Sequence, residues 1–222
     1  MEYGGILIEW TGHDGFRLAG TRTVYIDPYR LDPKKQWPAG DYCFVTHDHH
    51  DHCSPEDLLR VVAPDRTVLL ASRGAHEKVK GQVPAKQTRV LAPGESLSLE
   101  GLTVRAIPAY NLTKFRAPGV PFHPKDAGGV GLVITLDGVT VFHAGDTDLT
   151  DEIRGLHGVD VALLPVSGTY VMTAEEAAEA CRVLKPKVAI PMHYGAIVGS
   201  AEDARRFKAL LPDHCVEILA AT

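Results

Sequence analysis

Short apolar runs alternate with polar turn segments along most of the chain, a pattern typical of buried strands joined by loops. Three of these runs lead through a loop into a helix start, and they lie at 42–45, 161–164 and 188–190. Each helix start has a predicted N-cap followed by acidic residues, namely Ser54, Thr173 and Ser200. Repeated strand–loop–helix units imply helices that cover a sheet, with the three loops at one edge of it.

The remaining apolar runs are also strand-like. Strands are predicted at 5–10, 23–27, 67–71, 89–91, 96–99, 102–107, 131–136 and 139–142, and one more helix at 75–80. The first two strands are expected to be neighbours, joined by a tight glycine-rich turn over 11–17. Asp137-Gly138 is a strong hairpin signal between the last two. No linker or low-complexity tract interrupts the pattern, so a single α/β domain over 1–222 is expected.

The longest stretch without periodicity is 109–127. Its aromatic and basic side chains are Tyr110, Phe115 and Phe122 together with Lys114, Arg116 and Lys125. Long irregular loops in compact domains are often functional lids, and these cations could bind a small anionic substrate. The alternative is a surface loop anchored by its aromatic side chains.

Composition narrows the function classes. The chain has 222 residues, of which 45% are hydrophobic, and a net charge of −5 without a basic block. These values predict a globular protein that acts on a small molecule, with no nucleic-acid partner, while the oligomeric state stays open. No apolar run approaches 18 residues and no signal-peptide pattern is present, so no membrane association and a cytoplasmic location are expected. The four cysteines lack paired spacing and are expected to be reduced.

The most unusual segment is 47–52, where four histidines and two aspartates follow the strand at 42–45 directly. Imidazole and carboxylate donors suit a Zn²⁺-like cation. His47 and His49, two apart on extended backbone, point to the same side and can bind one ion together. Asp51 and His52 can face a second position, whereas His50 has the opposite parity. A solvated histidine-rich turn is the alternative interpretation.

The pattern H-x-H-x-D-H after an apolar strand resembles the signature of the metallo-β-lactamase fold superfamily. Further motifs of that superfamily follow in order at 25–28, 142–147 and 191–195, so the resemblance covers almost the whole chain. It implies a four-layer αβ/βα sandwich of two mixed sheets flanked by helices, and a metal-dependent hydrolase. Gly12-His13 is similar to the branch that contains L-ascorbate 6-phosphate lactonase and N-acyl-phosphatidylethanolamine phospholipase D.

The resemblance also implies roles for individual residues. His47 and His49 would bind a first metal, Asp51, His52 and His193 a second, and Asp146 would bridge the two. Asp27 would orient the ligand loop through hydrogen bonds. His13 is either a turn residue or a substrate contact, His143 a core or supporting residue, and Asp148 a cap or a metal-site partner. No function is assigned to His76, His157 or His214, and Cys53 is expected to be a bystander.

The chain departs from the superfamily at one ligand. A histidine is expected shortly after the strand at 102–107, where this sequence has Asn111. Three possibilities stay open at this point. His123 reaches back to fill the place, Asn111 binds through its amide oxygen, or the first site is weak.

The expected cofactor is one or two divalent ions, with zinc foremost and manganese or iron as alternatives. Such ions lower the pKa of water from ~15.7 towards ~7, which yields a metal-bound hydroxide, and Asp51 or Asp146 is the expected proton acceptor. The predicted substrate is a small, anionic or phosphorylated ester, lactone or phosphodiester. The alternatives are a non-catalytic or degenerate metal-binding protein and a di-iron redox protein.

Overall fold

The computed structural model describes residues 1–222 as two mixed β-sheets with helices on their outer faces. The first sheet holds seven strands in chain order, which are β1 (Glu2–Tyr3), β2 (Ile6–Gly12), β3 (Gly15–Ala19), β4 (Thr23–Ile26), β5 (Tyr42–Val45), β6 (Val68–Ala71) and β7 (Gln87–Val90). Strands β1 to β4 are antiparallel, and β4 to β7 are parallel.

The second sheet contains β8 (Ser96–Leu99), β9 (Leu102–Pro108), β12 (Val130–Leu136), β13 (Val139–His143), β14 (Val161–Pro165) and β15 (Val188–Met192). Its order is β15-β14-β13-β12-β9-β8, and β13 to β15 are parallel. A separate hairpin of β10 (Phe115–Ala117) and β11 (Val120–Pro121) lies in the connection between β9 and β12.

The helices are α1 (Pro55–Val61), α2 (Arg73–Val79), α3 (Asp151–Arg154), α4 (Ala174–Leu184) and α5 (Ala201–Ala209). The predicted N-caps are present, since the hydroxyls of Ser54, Thr173 and Ser200 each accept a backbone N–H of the first turn. None of the helices is long and apolar enough to cross a lipid bilayer.

Two apolar cores hold the layers together. The larger core joins the inner faces of both sheets to α4 and α5, with Phe16, Phe44 and Phe142 among its fully buried side chains. The smaller core packs α1 and α2 against the outer face of the first sheet through Leu58, Val79 and their neighbours. This arrangement confirms the predicted four-layer αβ/βα sandwich.

Two local predictions are wrong. The strands predicted at 5–10 and 23–27 are not neighbours, because Phe16 and the residues after it form β3, which pairs with both. The stretch 109–127 is not irregular throughout, since it contains the β10–β11 hairpin and a 3₁₀ turn at Lys125–Ala127. Strand β10 has three residues and β11 has two, which is too short for a periodic pattern to mark either strand in the sequence.

Candidate metal centre

The predicted ligands come together at one edge of the sandwich, where the parallel strands of both sheets end. The loop after β5 carries His47, His49, Asp51 and His52, the loop after β13 carries Asp146, and His193 follows β15 directly. Carboxyl ends of parallel strands are where α/β proteins usually bind ligands. Although 141 positions separate His52 from His193 in the chain, the ring centroids of these two histidines are only 6.1 Å apart.

A first group of donors consists of His47, His49, His123 and Asp146. Nε2 of His123 lies 3.2 Å from Nδ1 of His49 and 3.2 Å from Oδ2 of Asp146. Nε2 of His47 lies 3.9 Å from the same Asp146 oxygen. The structure thus brings His123, and not the amide of Asn111, next to His47 and His49.

Asn111 touches His123 instead. Its side-chain oxygen accepts a hydrogen bond from the backbone N–H of His123 at 2.9 Å and one from the Nδ1–H of the ring at 3.0 Å. These bonds require the Nδ1–H tautomer, which leaves the lone pair of Nε2 directed at the other donors. Asn111 therefore orients His123.

A second group of donors lies beside the first and contains His52, His193 and Asp146. Nε2 of His52 is 3.3 Å from Oδ1 of Asp146, and Nε2 of His193 is 3.3 Å from Oδ2 of the same carboxylate. Asp51 places its Oδ2 3.7 Å from Nε2 of His52. Asp146 thus contacts donors of both groups.

Hydrogen bonds on the far side of each ring fix the orientation of the histidines. Oδ2 of Asp27 accepts from Nδ1 of His52 at 2.8 Å, and the hydroxyl of Ser167 lies 2.8 Å from Nδ1 of His193. The hydroxyl of Thr46 lies 3.1 Å from Nδ1 of His47. This is the arrangement in which outer partners direct the other ring nitrogen towards a metal. Asp27 has the predicted supporting position.

The residues fit divalent ions for a reason independent of any motif. The Nε2 atoms of His47, His52 and His193 and Oδ1 of Asp146 are buried and have no hydrogen-bond partner within the protein. Leaving a buried polar atom unsatisfied costs about 1–3 kcal/mol each. Several such atoms that converge on one space indicate that a cation normally satisfies them.

The imidazoles of the cluster differ in their pKa values, so some favour the neutral form and others the charged form. Burial, together with the neighbouring His52, holds the pKa of His47 well below its usual value. Burial also disfavours charge on His193, but the Asp146 and Asp14 carboxylates outweigh it and raise the pKa of His193 to about 9. Burial opposes ionisation of Asp146, but His193, His52 and His123 outweigh it and hold the pKa of Asp146 well below its usual value, so this carboxylate is ionised.

Three site residues other than glycine adopt left-handed backbone conformations, His13 (φ 51°), Asp27 (φ 43°) and His193 (φ 59°). This conformation is uncommon for such residues and costs about 1–3 kcal/mol where it occurs. The surrounding structure enforces it, because the carbonyl of His13 accepts both the N–H of His193 at 3.0 Å and the indole N–H of Trp10 at 2.8 Å. Backbone strain is thus concentrated at the metal centre.

His13 is a fully buried residue of the β2–β3 turn, and its Nε2–H donates to Oδ2 of Asp51 at 3.0 Å. Asp14, which the sequence analysis overlooked, lies equally deep, with Oδ2 at 3.6 Å from Nε2 of His52. His143 supports the same turn, since its Nε2–H donates to the carbonyl of Asp14 at 2.9 Å. The only sequence signal for Asp14 was its position between His13 and Gly15.

The other predicted polar residues are distributed around the centre. The side chain of His50 is 75% exposed, in agreement with its opposite parity. Asp148 accepts the backbone N–H groups of Leu112 and Thr113, both at 2.7 Å, and so anchors the start of the 109–127 segment. The thiol of Cys53 is buried against the Ala75 carbonyl and belongs to none of the donor groups.

The 109–127 segment borders two adjoining cavities of about 210 and 260 Å³. Both are lined by His49, Phe122, His123 and Asp146. Arg116 lines the smaller cavity, and its guanidinium donates to the Phe122 carbonyl at 2.8 Å.

The two lysines of the segment are already paired. Nζ of Lys114 lies 2.6 Å from Oε2 of Glu176, and Nζ of Lys125 lies 2.7 Å from Oε1 of Glu152.

Comparison with known proteins agrees with this geometry. Residues 7–193 match the β-lactamase superfamily domain. The chain is 37% identical over 207 residues to a UPF0173 metal-dependent hydrolase of Methanoculleus marisnigri, across 90% of this chain and 86% of that protein. A second UPF0173 metal-dependent hydrolase, from Thermoplasma acidophilum, is 33% identical over 215 residues, across 91% and 89% of the two chains.

A solved structure shows the same similarity. A candidate metal-dependent hydrolase from Parabacteroides distasonis superposes with a TM-score of 0.80 at 30% identity, covering 96% of this chain and 92% of that one.

The chain is therefore a member of the β-lactamase superfamily and an enzyme of the metal-dependent hydrolase class. More particularly, it belongs with the UPF0173 metal-dependent hydrolases. These matches confirm the superfamily predicted from the sequence. The similarity to the branch of the ascorbate-phosphate lactonase and the phospholipase D stays a prediction.

Proposed function

We propose that this protein hydrolyses a small anionic ester, lactone or phosphodiester at a centre of two divalent ions. His47, His49 and His123 would hold the first ion, Asp51, His52 and His193 the second, and Asp146 would contact both. The observation that supports this assignment best is the convergence of buried Nε2 and carboxylate oxygen atoms that have no partner within the protein. When bound, such ions supply Lewis acidity that polarises a substrate oxygen and lowers the pKa of water.

Asp51 is suited to take up the proton released during hydrolysis. Its side chain lines the larger cavity, and His13 donates a hydrogen bond to its Oδ2 at 3.0 Å. Burial opposes ionisation of Asp51, but His13 and His52 outweigh it and hold its pKa below the usual value. The carboxylate is therefore ionised at neutral pH and free to accept a proton, but it is a weak base, and the case for Asp51 is its position in the cavity. Asp146 is the alternative acceptor, although its oxygens lie against four imidazoles.

Arg116 supports the anionic character of the substrate. Its guanidinium lines the cavity beside His47 and His123 and has no carboxylate partner, whereas Lys114 and Lys125 each contact a glutamate. A guanidinium can bind a carboxylate or phosphate through two parallel hydrogen bonds. Among the three cations of the segment, Arg116 is therefore the one proposed to bind substrate.

A metal-exchange screen tests the proposed reaction. Protein stripped with a chelator and refilled with Zn²⁺, Mn²⁺ or Fe²⁺ would be assayed on neutral and anionic esters, lactones and phosphodiesters. We expect turnover to require metal and to be abolished in His47→Ala, which removes one donor and little core volume. Full metal occupancy without turnover on any of these substrates would favour a non-catalytic metal-binding protein.

The Arg116 assignment predicts a selective effect on binding. Arg116→Gln should raise KM for an anionic substrate about 10-fold or more, since a charged hydrogen bond contributes about 1.5–3 kcal/mol, and leave a neutral analogue unchanged. Lys125→Gln is the matched control, because it removes a nearby cation that is already paired with Glu152. Equal effects of both variants on both substrates would contradict the assignment.

A further inference from the structure

Asp14 is the buried carboxylate whose environment the proposed ligand set does not explain. The residue is 0% exposed, and neither of its carboxylate oxygens has a hydrogen-bond partner. An ionised carboxylate without a partner is one of the most costly groups to bury. A cation that faces Asp14 would satisfy both oxygens and keep the carboxylate ionised.

Two proposed metal donors lie close to Asp14. Oδ2 of Asp14 is 3.6 Å from Nε2 of His52 and 3.8 Å from Nε2 of His193, and both nitrogens are themselves unpartnered. Nε2 of His13 is also 3.8 Å from Oδ2 of Asp14, but it donates to Asp51. Two donors that bind one ion at about 2.1 Å with tetrahedral angles are about 3.4 Å apart. Asp146 is the fourth residue of this set, because its carboxylate oxygens lie 3.3 Å from Nε2 of His52 and 3.3 Å from Nε2 of His193. Asp14, His52, Asp146 and His193 thus have the spacing of a shared coordination sphere.

The backbone holds Asp14 in this position from both sides. The His143 side chain donates to the carbonyl of Asp14 at 2.9 Å, and the preceding His13 carbonyl accepts the N–H of His193. Gly15 has no room for a side chain, because a Cβ there would lie 2.2 Å from the Thr11 hydroxyl and 3.0 Å from the Gly12 carbonyl. The turn is therefore built to direct one carboxylate inward.

We propose that Asp14 is a further ligand of the second ion, and that it gives this position a preference for harder ions than the first position has. This inference rests on the proposed two-ion centre. The second position then has carboxylate oxygens from Asp14 and Asp146, with Asp51 beside it at 3.7 Å from Nε2 of His52, whereas the first is dominated by three imidazoles. Carboxylate-rich sets suit Mn²⁺, and imidazole-rich sets suit Zn²⁺. The centre would be asymmetric, with Zn²⁺ at the first position and Mn²⁺ or Fe²⁺ at the second position.

Metal binding to the full-length protein tests the proposal without an activity assay. Chelator-treated wild type, Asp14→Asn and Asp14→Ala would first receive one equivalent of Zn²⁺ and then be titrated with Mn²⁺, with free Mn²⁺ measured by electron paramagnetic resonance. We expect Asp14→Asn to weaken Mn²⁺ binding at least about 10-fold, by analogy with supporting residues of metal sites, and Asp14→Ala to weaken it further. Zn²⁺ binding at the second position should weaken less than Mn²⁺ binding.

Asp57→Asn is the matched control. Asp57 is also buried, but its oxygens accept the N–H groups of Arg30 and Leu31, so the substitution should leave both ions in place. If wild type bound no second ion, the two-ion centre itself would be wrong. If wild type bound two ions and both Asp14 variants matched it, only the role of Asp14 would be refuted.

A crystal structure of the loaded wild type keeps the proposal testable even where a variant fails to fold. Anomalous differences at the manganese and zinc absorption edges would identify the ion at each position. We expect an Asp14 oxygen about 2.0–2.3 Å from the second ion, and manganese to exceed zinc there. An Asp14 carboxylate beyond about 3 Å from any ion would overturn the proposal.

Discussion

At the scale of single residues, Asn111 shows how one side chain sets the chemistry of another. It accepts two hydrogen bonds from His123 and fixes the tautomer whose Nε2 faces His47 and His49. We expect Asn111→Ala to weaken the affinity for the first ion about 10- to 100-fold, as is typical when a residue that orients a metal ligand is lost. Metal analysis and titration would measure this effect.

Asn111→Asp retains the oxygen that accepts from His123, but it replaces the Nδ2 group that donates to Asp148 at 3.3 Å and to the Tyr170 carbonyl at 2.8 Å. We expect its metal binding to fall between those of wild type and Asn111→Ala. His123→Ala should lose the first ion entirely together with turnover. Full occupancy in His123→Ala would instead assign His123 to the substrate.

The pKa of His193 predicts how the metal-free protein responds to pH. Its folded value of about 9 lies above the ordinary value of about 6.5. Folding therefore binds a proton, and the resulting stabilisation is complete below pH ~6.5 and is lost as pH rises through about 9. Thermal melts of chelated protein should show Tm falling from pH 6.5 to 9.5, with a smaller fall in His193→Gln.

Metal affinity should change with pH in the opposite direction, because an imidazole must lose its proton to bind an ion. The affinity of the second position is therefore expected to rise over the interval in which the metal-free protein loses stability. A Tm of the metal-free protein that increased over this interval would contradict the charge state assigned to His193.

The residues of the metal centre differ in how visible they are in the sequence. His47, His49, Asp51 and His52 form a dense motif, and no structure is needed to notice it. Asp14 follows a Gly-His pair like many turn aspartates, and its importance arises only from contacts with His52 and His193 across the fold. Likewise, the relation of Asn111 to His123 depends on the path of a hairpin that has no periodic pattern.

At the scale of elements, β12 packs closely against the loop that carries Asp146, and this packing positions the loop. A Cβ at Gly131 would lie 2.6 Å from the Ala144 carbonyl and 3.1 Å from that of His143, both of which are backbone atoms. We expect Gly131→Ala to shift the loop that carries Asp146, to destabilise the fold by about 1–3 kcal/mol, and to lower occupancy of both ions. Denaturant titration and metal analysis measure the two effects.

Gly155→Ala is the control for this prediction. A Cβ there would contact the Asp151 carbonyl at an ordinary 3.6 Å, and Gly155 has a φ of −82°. The variant should keep both stability and metal. If Gly131→Ala were equally harmless, the loop after β13 would be more adaptable than its packing suggests.

Elements with a strong local signal were predictable from the sequence. The caps of α1, α4 and α5 and the Asp137-Gly138 hairpin depend on residues close together in the chain. Strand β3 was missed because it begins at Gly15, inside the stretch 11–17 that was interpreted as one glycine-rich turn, so that this turn seemed to join β2 to β4 directly. Register and sheet order depend on distant partners, and propensity does not specify them.

At the scale of the whole molecule, the centre joins the two sheets. His47, Asp51 and His52 extend from the first sheet, whereas Asp146 and His193 extend from the second. The predicted superfamily could therefore be recognised from motifs spread over the chain, since each marks the end of a strand that must meet the others. The sequence did not show how far the contact between the two sheets depends on the ions. The unpartnered atoms that indicate this dependence are brought together only by the fold.

Removing the ions should consequently weaken the whole fold and not one loop. A ligand at 1,000 times its Kd stabilises the folded state by about 4 kcal/mol, and each kcal/mol shifts Tm by about 2–4 °C in a protein of this size. Adding both Zn²⁺ and Mn²⁺ at such concentrations to chelated protein should therefore stabilise it by about 8 kcal/mol and raise Tm by about 16–32 °C. Asp146→Asn, which alters the carboxylate shared by both groups, should lose most of this increase, whereas Asp57→Asn should retain it on a lower baseline. A metal-induced increase of the same size in Asp146→Asn would show that the ions bind elsewhere, because the Asp146 carboxylate lies against histidines of both donor groups.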